Sequence, residues 1–329
     1  MDNKIFSIVI PVYNGEKTIQ RTLASLISSK DYIKEIIIVD DHSADNTIQE
    51  AHVFDKLLPI VILKSDGFHN PGLARKTGLL YAKGEWITFI DADDCLTPSS
   101  LRYVAQALED SMVLLHTQSI YYESGNFDAE DIGHSDLSCG GNFYKRDYLI
   151  KNQLYPHDVL CLSEDEYFNN LITMFIKYVD KGEEDKIAYY DYPVYEVHHD
   201  LEDGASLAIS NWTDYAIKYH LRCQMYLVTD MLERYEDNTE LYNALKEDYI
   251  SNFIFVYFIY QTLNEFNQKQ YFRKALRLFI RKFHSNKKEL INWYDKNTES
   301  VDNIREGAMG SMGEEVNITE DFSSFVNSL

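Results

Sequence analysis

The run Trp86-Ile87-Thr88-Phe89-Ile90-Asp91-Ala92-Asp93-Asp94 constrains this chain more than any other. Apolar or β-favouring residues lead straight into three carboxylates, the pattern of a buried strand whose C-terminal end opens at a crevice. Ligands of open α/β sheets bind at that end. Carboxylates this close repel one another unless positive charge sits among them, and an all-oxygen ligand set favours a hard divalent cation such as Mg2+ or Mn2+. A solvated acidic turn is the alternative for the stretch taken alone.

The same design recurs upstream. Phe6 to Val12 is nearly all apolar, as a strand buried on both faces should be, and Glu35 to Asp41 is a second such run ending in acids. Helical spacing covers Lys17 to Ser29, Ser43 to Leu58 and Pro71 to Ala82, with a third short strand at Ile60 to Leu63. Strands alternating with helices imply right-handed parallel crossovers and a doubly wound, mostly parallel α/β sheet of Rossmann-like type. Two of its strands would then end in acids on one edge. Farther on, Met112 to Gln118 reads as a strand, Tyr121 to Leu137 as a loop or hairpin, and Ser163-Glu164-Asp165-Glu166 as a helix start with acids in its first turn. Ile187 to Tyr192 is strand-like, and Tyr195 to Ser206 reads as a polar loop holding His198 and His199.

From about Asn211 to Trp293 the pattern is helical throughout. The expected organisation is a catalytic domain over 1–208, an all-helical extension over 209–296, and a flexible tail over 297–329, where apolar residues are few. The formal charge of -22 argues against nucleic acid as a partner, since duplex binding needs a basic face. Cys95, Cys139, Cys161 and Cys223 are widely spaced and read as free thiols of a reducing compartment. Neither a secretory signal nor an apolar run of the roughly 18 residues a membrane helix requires is expected, so a cytoplasmic location follows, with peripheral contact at the inner membrane face left open.

Several nucleotide chemistries drop out. Pro11-Val12-Tyr13-Asn14-Gly15-Glu16 holds one glycine where a dinucleotide site needs three, and Gly15-Glu16-Lys17-Thr18 lacks the Gly-Lys adjacency of a phosphate loop. What remains is acids. Carboxylates hold a diphosphate only through a bridging metal, an acid at another strand end can accept from a base N–H or ribose hydroxyl, and a separate carboxylate can take a proton from an attacking hydroxyl.

Ser7 to Asn14, Glu35 to Thr47, Gly72-Leu73-Ala74-Arg75, Phe89 to Asp94 and Ser163-Glu164-Asp165 together resemble a family 2 nucleotide-sugar glycosyltransferase with the GT-A fold, over about residues 5–208. The resemblance implies that Pro11, Tyr13 and Asn14 line a nucleoside pocket, that Asp41 contacts the base and that Arg75 is the donor-site arginine. Asp91, Ala92 and Asp93 match the Asp-x-Asp motif, with Asp93 on the metal and Asp91 on metal or ribose. Asp94 is either a supporting acid behind them or a cap of the following turn. Asp165 matches the catalytic base, and His198, in Tyr195-x-x-His198, a residue reaching the metal or diphosphate. It further implies an inverting, Mn2+- or Mg2+-dependent hexosyl- or N-acetylhexosaminyltransferase. Such an enzyme would move sugar from a UDP-sugar to a hydroxyl of a glycan, glycolipid or glycoprotein, in surface polysaccharide or glycoprotein glycan synthesis. A silent nucleotide-sugar-binding subunit and a sugar nucleotidyltransferase are the competing readings. Two positions depart from the family pattern: His42 follows the acids of the second strand, and Lys76 follows Arg75.

Residues 266–288 carry eight Lys or Arg and no acid, with Phe272, Leu276, Phe279, Ile280 and Phe283 on one helical face. Such a helix can rest on an anionic membrane, or its apolar face can pack on the protein or a second subunit.

Overall fold

The computed structural model describes residues 4–67, 69–123, 126–134, 138–160, 163–181, 184–199, 221–235, 237–262, 266–282, 287–312 and 316–329. The chain divides into two compact units, residues 1–207 and 208–329. The expected boundary near 208, the end of the polar loop and the first helical residues after Asn211 fall within 200–220, outside the described residues.

The first unit is built on one mixed sheet. Strand β1 (Phe6–Val12) runs parallel to β2 (Ile33–Asp40) and to β4 (Trp86–Phe89), and β2 pairs in parallel with β3 (Ile60–Lys64). The residues of β1, β2 and β4 are almost all β-branched or aromatic and buried on both faces, which only a helix-covered parallel sheet requires, while those of the edge strand β3 are half-buried. The crossovers carry helices α1 (Ile19–Leu26), α2 (Thr47–His52) and α3 (Pro71–Tyr81). Asn70 caps α3, accepting from the Leu73 N–H at 2.9 Å, and Pro71 stands at its first turn, where a missing N–H costs nothing.

After β5 (Cys95–Leu96) and α4 (Ser100–Ala107) the sheet turns antiparallel. Strand β6 (Leu114–Glu123) forms a hairpin with β7 (Asn126–His134), and β8 (Phe143–Lys145) slots between β4 and β6. Helices α5 (Arg146–Asn152) and α6 (Glu164–Met174) precede β9 (Ile187–His199), which lies parallel to β6 and antiparallel to β5. The order is β3-β2-β1-β4-β8-β6-β9-β5, with β7 on β6.

Two expectations are corrected. Tyr195 to His199 is strand, not loop: polar as it is, it pairs on both sides, Glu196 with Cys95 of β5 and with Ile120 of β6. The helix expected over Ser43 to Leu58 shrinks to Thr47–His52 because residues 43–46 are committed to the loop after β1. There Asn14 donates its N–H to Ser43 Oγ at 2.9 Å and accepts from the Ala44 N–H at 2.8 Å, while Glu16 accepts from the Asn46 N–H at 2.9 Å.

The second unit is helical. Helix Thr239–Thr262 is apolar nearly all round over its second half, Phe253 to Tyr260, as a helix buried on every side must be. Phe253, Tyr257 and Phe258 form its core with Phe272 and Leu276 of helix Phe266–Lys282, the apolar face of the basic run. Arg273 from that run pairs with Glu320 at 2.6 Å and donates to the Tyr260 hydroxyl at 2.9 Å. The side chains of Phe279 and Phe283 lie outside the described residues.

The tail over 297–329, expected to be flexible, instead forms helices Thr298–Met312 and Phe322–Ser328. Its few apolar residues fall where the core needs them: Val301, Ala308, Phe322, Phe325 and Val326 are all buried. The Phe322 ring stacks on Tyr294 with centroids 4.2 Å apart. Gln261, itself buried, accepts from the N–H groups of Thr319 at 3.0 Å and Glu320 at 3.2 Å, fixing the strand-like approach to the last helix. No helix among the described residues is long and apolar enough to cross a membrane. Cys95, Cys139 and Cys223 are buried free thiols.

Candidate active site

The C-terminal ends of β1, β2 and β4 share one edge, and the residues beyond them form the site. Past β2, Asp41 is 4% exposed. Its Oδ2 accepts from the Asn70 N–H at 2.7 Å, whereas its Oδ1 is buried with no hydrogen-bond partner. A buried carboxylate oxygen left unmatched is costly, and a donor from a ligand or a water would relieve it. Tyr13, 42% exposed beyond the end of β1, packs against the ring of His69, centroids 4.0 Å apart. Asn14, by contrast, spends its amide on the loop after β2, as described above, and Pro11 lies inside β1.

The loop after β1 is not a phosphate cradle. The Gly15 N–H donates to Thr47 Oγ1 at 2.8 Å and the Glu16 N–H to Asp45 Oδ2 at 3.1 Å, so these amides are already satisfied.

Past β4, Asp91 to Asp94 form a tight turn closed by the Asp94 N–H on the Asp91 carbonyl at 3.0 Å. Arg75, buried on α3, binds Asp91 Oδ1 at 2.6 Å with one terminal nitrogen and Glu164 Oε1 with the other. Burial works against its charge, but Asp91 and then Glu164 outweigh it and hold the guanidinium firmly protonated. Arg75, which the resemblance gives as the donor-site arginine, bridges two acids 73 residues apart in the sequence. Asp165, next to Glu164 at the start of α6, has its carboxyl pushed up to about 7 by burial and by Glu164, with Arg75 opposing. A carboxylate poised there can exchange a proton with a hydroxyl near neutral pH.

Asp94 is buried and does not face outward. Its oxygens accept from the Tyr195 hydroxyl at 2.7 Å and the His198 N–H at 2.9 Å, and its carboxyl is raised by burial and by neighbouring Asp91 and Asp93. Of the two readings of Asp94, support for the paired acids is the one these contacts describe. Asp91 and Asp93, both partly exposed, provide the hard oxygen donors that a divalent cation takes, and the charge they impose on Asp94 is what such a cation would relieve.

His198 was expected to join them, and the structure does not bring the three together. Among the described residues, the one group of three metal-capable side chains with ligand atoms within 4.8 Å is Cys95, Glu196 and His198. The strand geometry is the reason: Glu196 and His198 alternate onto one face of β9, opposite Cys95, and the His198 ring stacks on Tyr122 with centroids 4.9 Å apart. The His199 side chain lies outside the described residues. The Tyr195-x-x-His198 motif marks Tyr195 in the sequence, but not its hydroxyl's part as a partner of Asp94.

The profile of glycosyl transferase family 2 matches residues 7–182, the segment that holds Asp41, Asp91, Asp93, Asp94, Glu164 and Asp165. The chain belongs to this family. Among its relatives are the minor teichoic acid biosynthesis protein GgaA of Bacillus subtilis, 28% identical over 51% of this chain and 43% of its own length. Another is the poly(ribitol-phosphate) beta-N-acetylglucosaminyltransferase TarP of Staphylococcus aureus, 26% identical over 64% of this chain and 68% of its own. The chain spans about half the length of the first curated relatives it matches, 43 to 57%. The structure of residues 1–349 of S. aureus TarS with UDP-GlcNAc covers 97% of this chain and 95% of its own, at TM-score 0.64 and 18% identity. That likeness shows the GT-A fold for the first unit of this family 2 member, which carries helices after it.

Proposed function

We propose that this chain transfers a hexosyl or N-acetylhexosaminyl group from a UDP-sugar to a hydroxyl of a surface glycan or polymer, with inversion. The observation that carries the reading is the Arg75 bridge, which draws the Asp-x-Asp turn and the Glu164-Asp165 pair to one edge of the sheet. Donor acids and a proton acceptor there belong to a single site. The names of GgaA and TarP, which concern teichoic acid synthesis and poly(ribitol-phosphate), support a cell-surface polymer as acceptor.

Asp41 would accept a hydrogen bond from the base through its unmatched Oδ1, with Tyr13 against the base ring. Asp91 and Asp93 would hold a divalent cation, which when bound neutralises charge on the departing diphosphate. Asp165 would take the acceptor's hydroxyl proton as its oxygen attacks the anomeric carbon, and the C–O bond to the diphosphate breaks from the opposite face. Inversion follows from that single displacement, with no covalent enzyme intermediate.

The test is a panel of nucleotide sugars with Mn2+ or Mg2+, scored for nucleoside diphosphate release in the presence of polyol-phosphate and glycan acceptors. Release of UDP that depends on acceptor supports the reading. Pyrophosphate as product would point to nucleotidyl transfer, and saturable binding without turnover to a silent subunit.

A further inference from the structure

The backbone of the Asp91–Asp94 turn is gripped from two sides. From α1, Thr22 Oγ1 donates to the Ala92 carbonyl at 2.9 Å and the Arg21 guanidinium to the Asp93 carbonyl at 2.6 Å. From β9, the Tyr195 hydroxyl accepts the Asp91 N–H at 3.1 Å and donates to Asp94 Oδ2 at 2.7 Å. The other oxygen of Asp94 takes the His198 N–H, so one carboxylate ties the turn to β9 twice.

The hydroxyl can do this only because its ring is immobile. Tyr195 is 2% exposed and lies over Gly140-Gly141. A Cβ on Gly140 would come within 2.6 Å of the ring, and one on Gly141, whose φ is +73°, within 2.5 Å of the Tyr195 Cβ. Two glycines therefore form a seat that larger residues would destroy, and the second also needs a backbone conformation L side chains rarely adopt. A phenol has no freedom beyond the rotation of its ring and its O–H, so the seat fixes where the oxygen sits.

We propose that Tyr195 is a positioning residue for donor binding: by holding the Asp91 N–H and the Asp94 carboxylate, it aims the Asp91 and Asp93 side chains at the cation and diphosphate. The proposal rests on the donor-site reading above. Metal affinity depends on partners behind the ligands, whose loss costs on the order of 10- to 100-fold, and a site left unsupported loses the geometry it needs. Tyr195 is buried behind the turn and acts through it.

The experiment compares the full chain with Tyr195→Phe and with Tyr257→Phe, which deletes a similar hydroxyl donor in the helical unit, 2.8 Å from the Glu320 carbonyl. UDP binding is followed by calorimetry across a MnCl2 titration, and thermal unfolding is recorded for each. We expect Tyr195→Phe to raise the Mn2+ concentration for half-maximal UDP binding by about 10-fold, while Tyr257→Phe leaves that midpoint unchanged. Equal midpoints in wild type and Tyr195→Phe, or the same shift in Tyr257→Phe, would overturn the positioning role while leaving the donor site standing. A wild type that binds no UDP at any Mn2+ or Mg2+ concentration would instead remove the donor reading, and the proposal with it.

Discussion

Arg75 and Asp91 meet 2.6 Å apart at the sheet edge, the arginine arriving from helix α3 and the aspartate from the end of β4. The same guanidinium holds Glu164, whose carboxylate is equally buried. One cation thus compensates two anions, and its removal leaves Glu164 charged in a place with little water. Arg75→Met is therefore expected to destabilise the catalytic unit by about 3 kcal/mol, the scale for breaking a buried pair by deleting one partner. Adding Glu164→Gln should recover part of that loss. Urea unfolding of the single and double variants measures both, and additive losses would show that the two side chains do not depend on each other.

With Asp165 as the proposed base, activity is expected to have an acid limit. Its carboxyl is pushed up to about 7 by burial and by Glu164, and a base acts only when unprotonated, so kcat/KM should fall tenfold per pH unit below that value. Asp165→Asn is expected to lower kcat by about 100-fold or more while UDP affinity stays within a few fold. A variant that retains transfer would move the base elsewhere.

The same shift has a sign in stability. Unfolded, the carboxyl has its ordinary value of about 3.8, and in the folded chain it is pushed up to about 7. The folded state binds the proton more tightly, so stability falls as pH rises from about 4 to about 7, and the full cost is present above 7. Asp165→Asn should raise the melting temperature at pH 8 and leave it nearly unchanged at pH 4. A gain independent of pH would mean that the carboxyl is solvated after all.

Asp41→Asn presents a donor where Asp41 Oδ1 now waits without a partner. The amide oxygen can still accept from the Asn70 N–H, so folding should be little affected. Donor affinity should fall by about 10-fold or more, since a charged hydrogen bond is worth about 1.5–3 kcal/mol. Calorimetry with UDP reads the loss, and unchanged affinity would separate Asp41 from the base.

Gly78→Ala tests how closely α3 is pressed on the sheet. Helix propensity favours alanine by about 1 kcal/mol, but the added carbon would stand 2.3 Å from Val9 Cγ1 and 3.3 Å from Val39 Cγ2. Overpacking of this kind costs about 1–3 kcal/mol, so a lower melting temperature is expected. A stabilised variant would show that the helix can lift away.

Much of this was legible in the chain. The parallel core could be read because β1, β2 and β4 are short, apolar and β-branched, and burial on both faces leaves such runs no other reading. The acids at their ends were equally plain, because Asp41, Asp91 and Asp93 stand where the apolar runs stop. Less visible was anything set by long-range pairing. Tyr195 to His199 looks like loop because half its face is polar, and only its partners in β5 and β6 make it strand. Arg75 could be located but not its two-sided pairing, which depends on where α6 begins. The final helices were misread for a related reason: Phe322, Phe325 and Val326 are few, yet each lands in the core.

Asp91 and Tyr195 lie 104 residues apart, and the glycine seat falls between them. Hybrid enzymes made by splicing the front half of one family member to the back half of another would therefore inherit a turn from one parent and its brace from the other. Recombination points placed between residue 94 and Gly140 should succeed only where the incoming segment brings a glycine pair and a phenol that fit the turn.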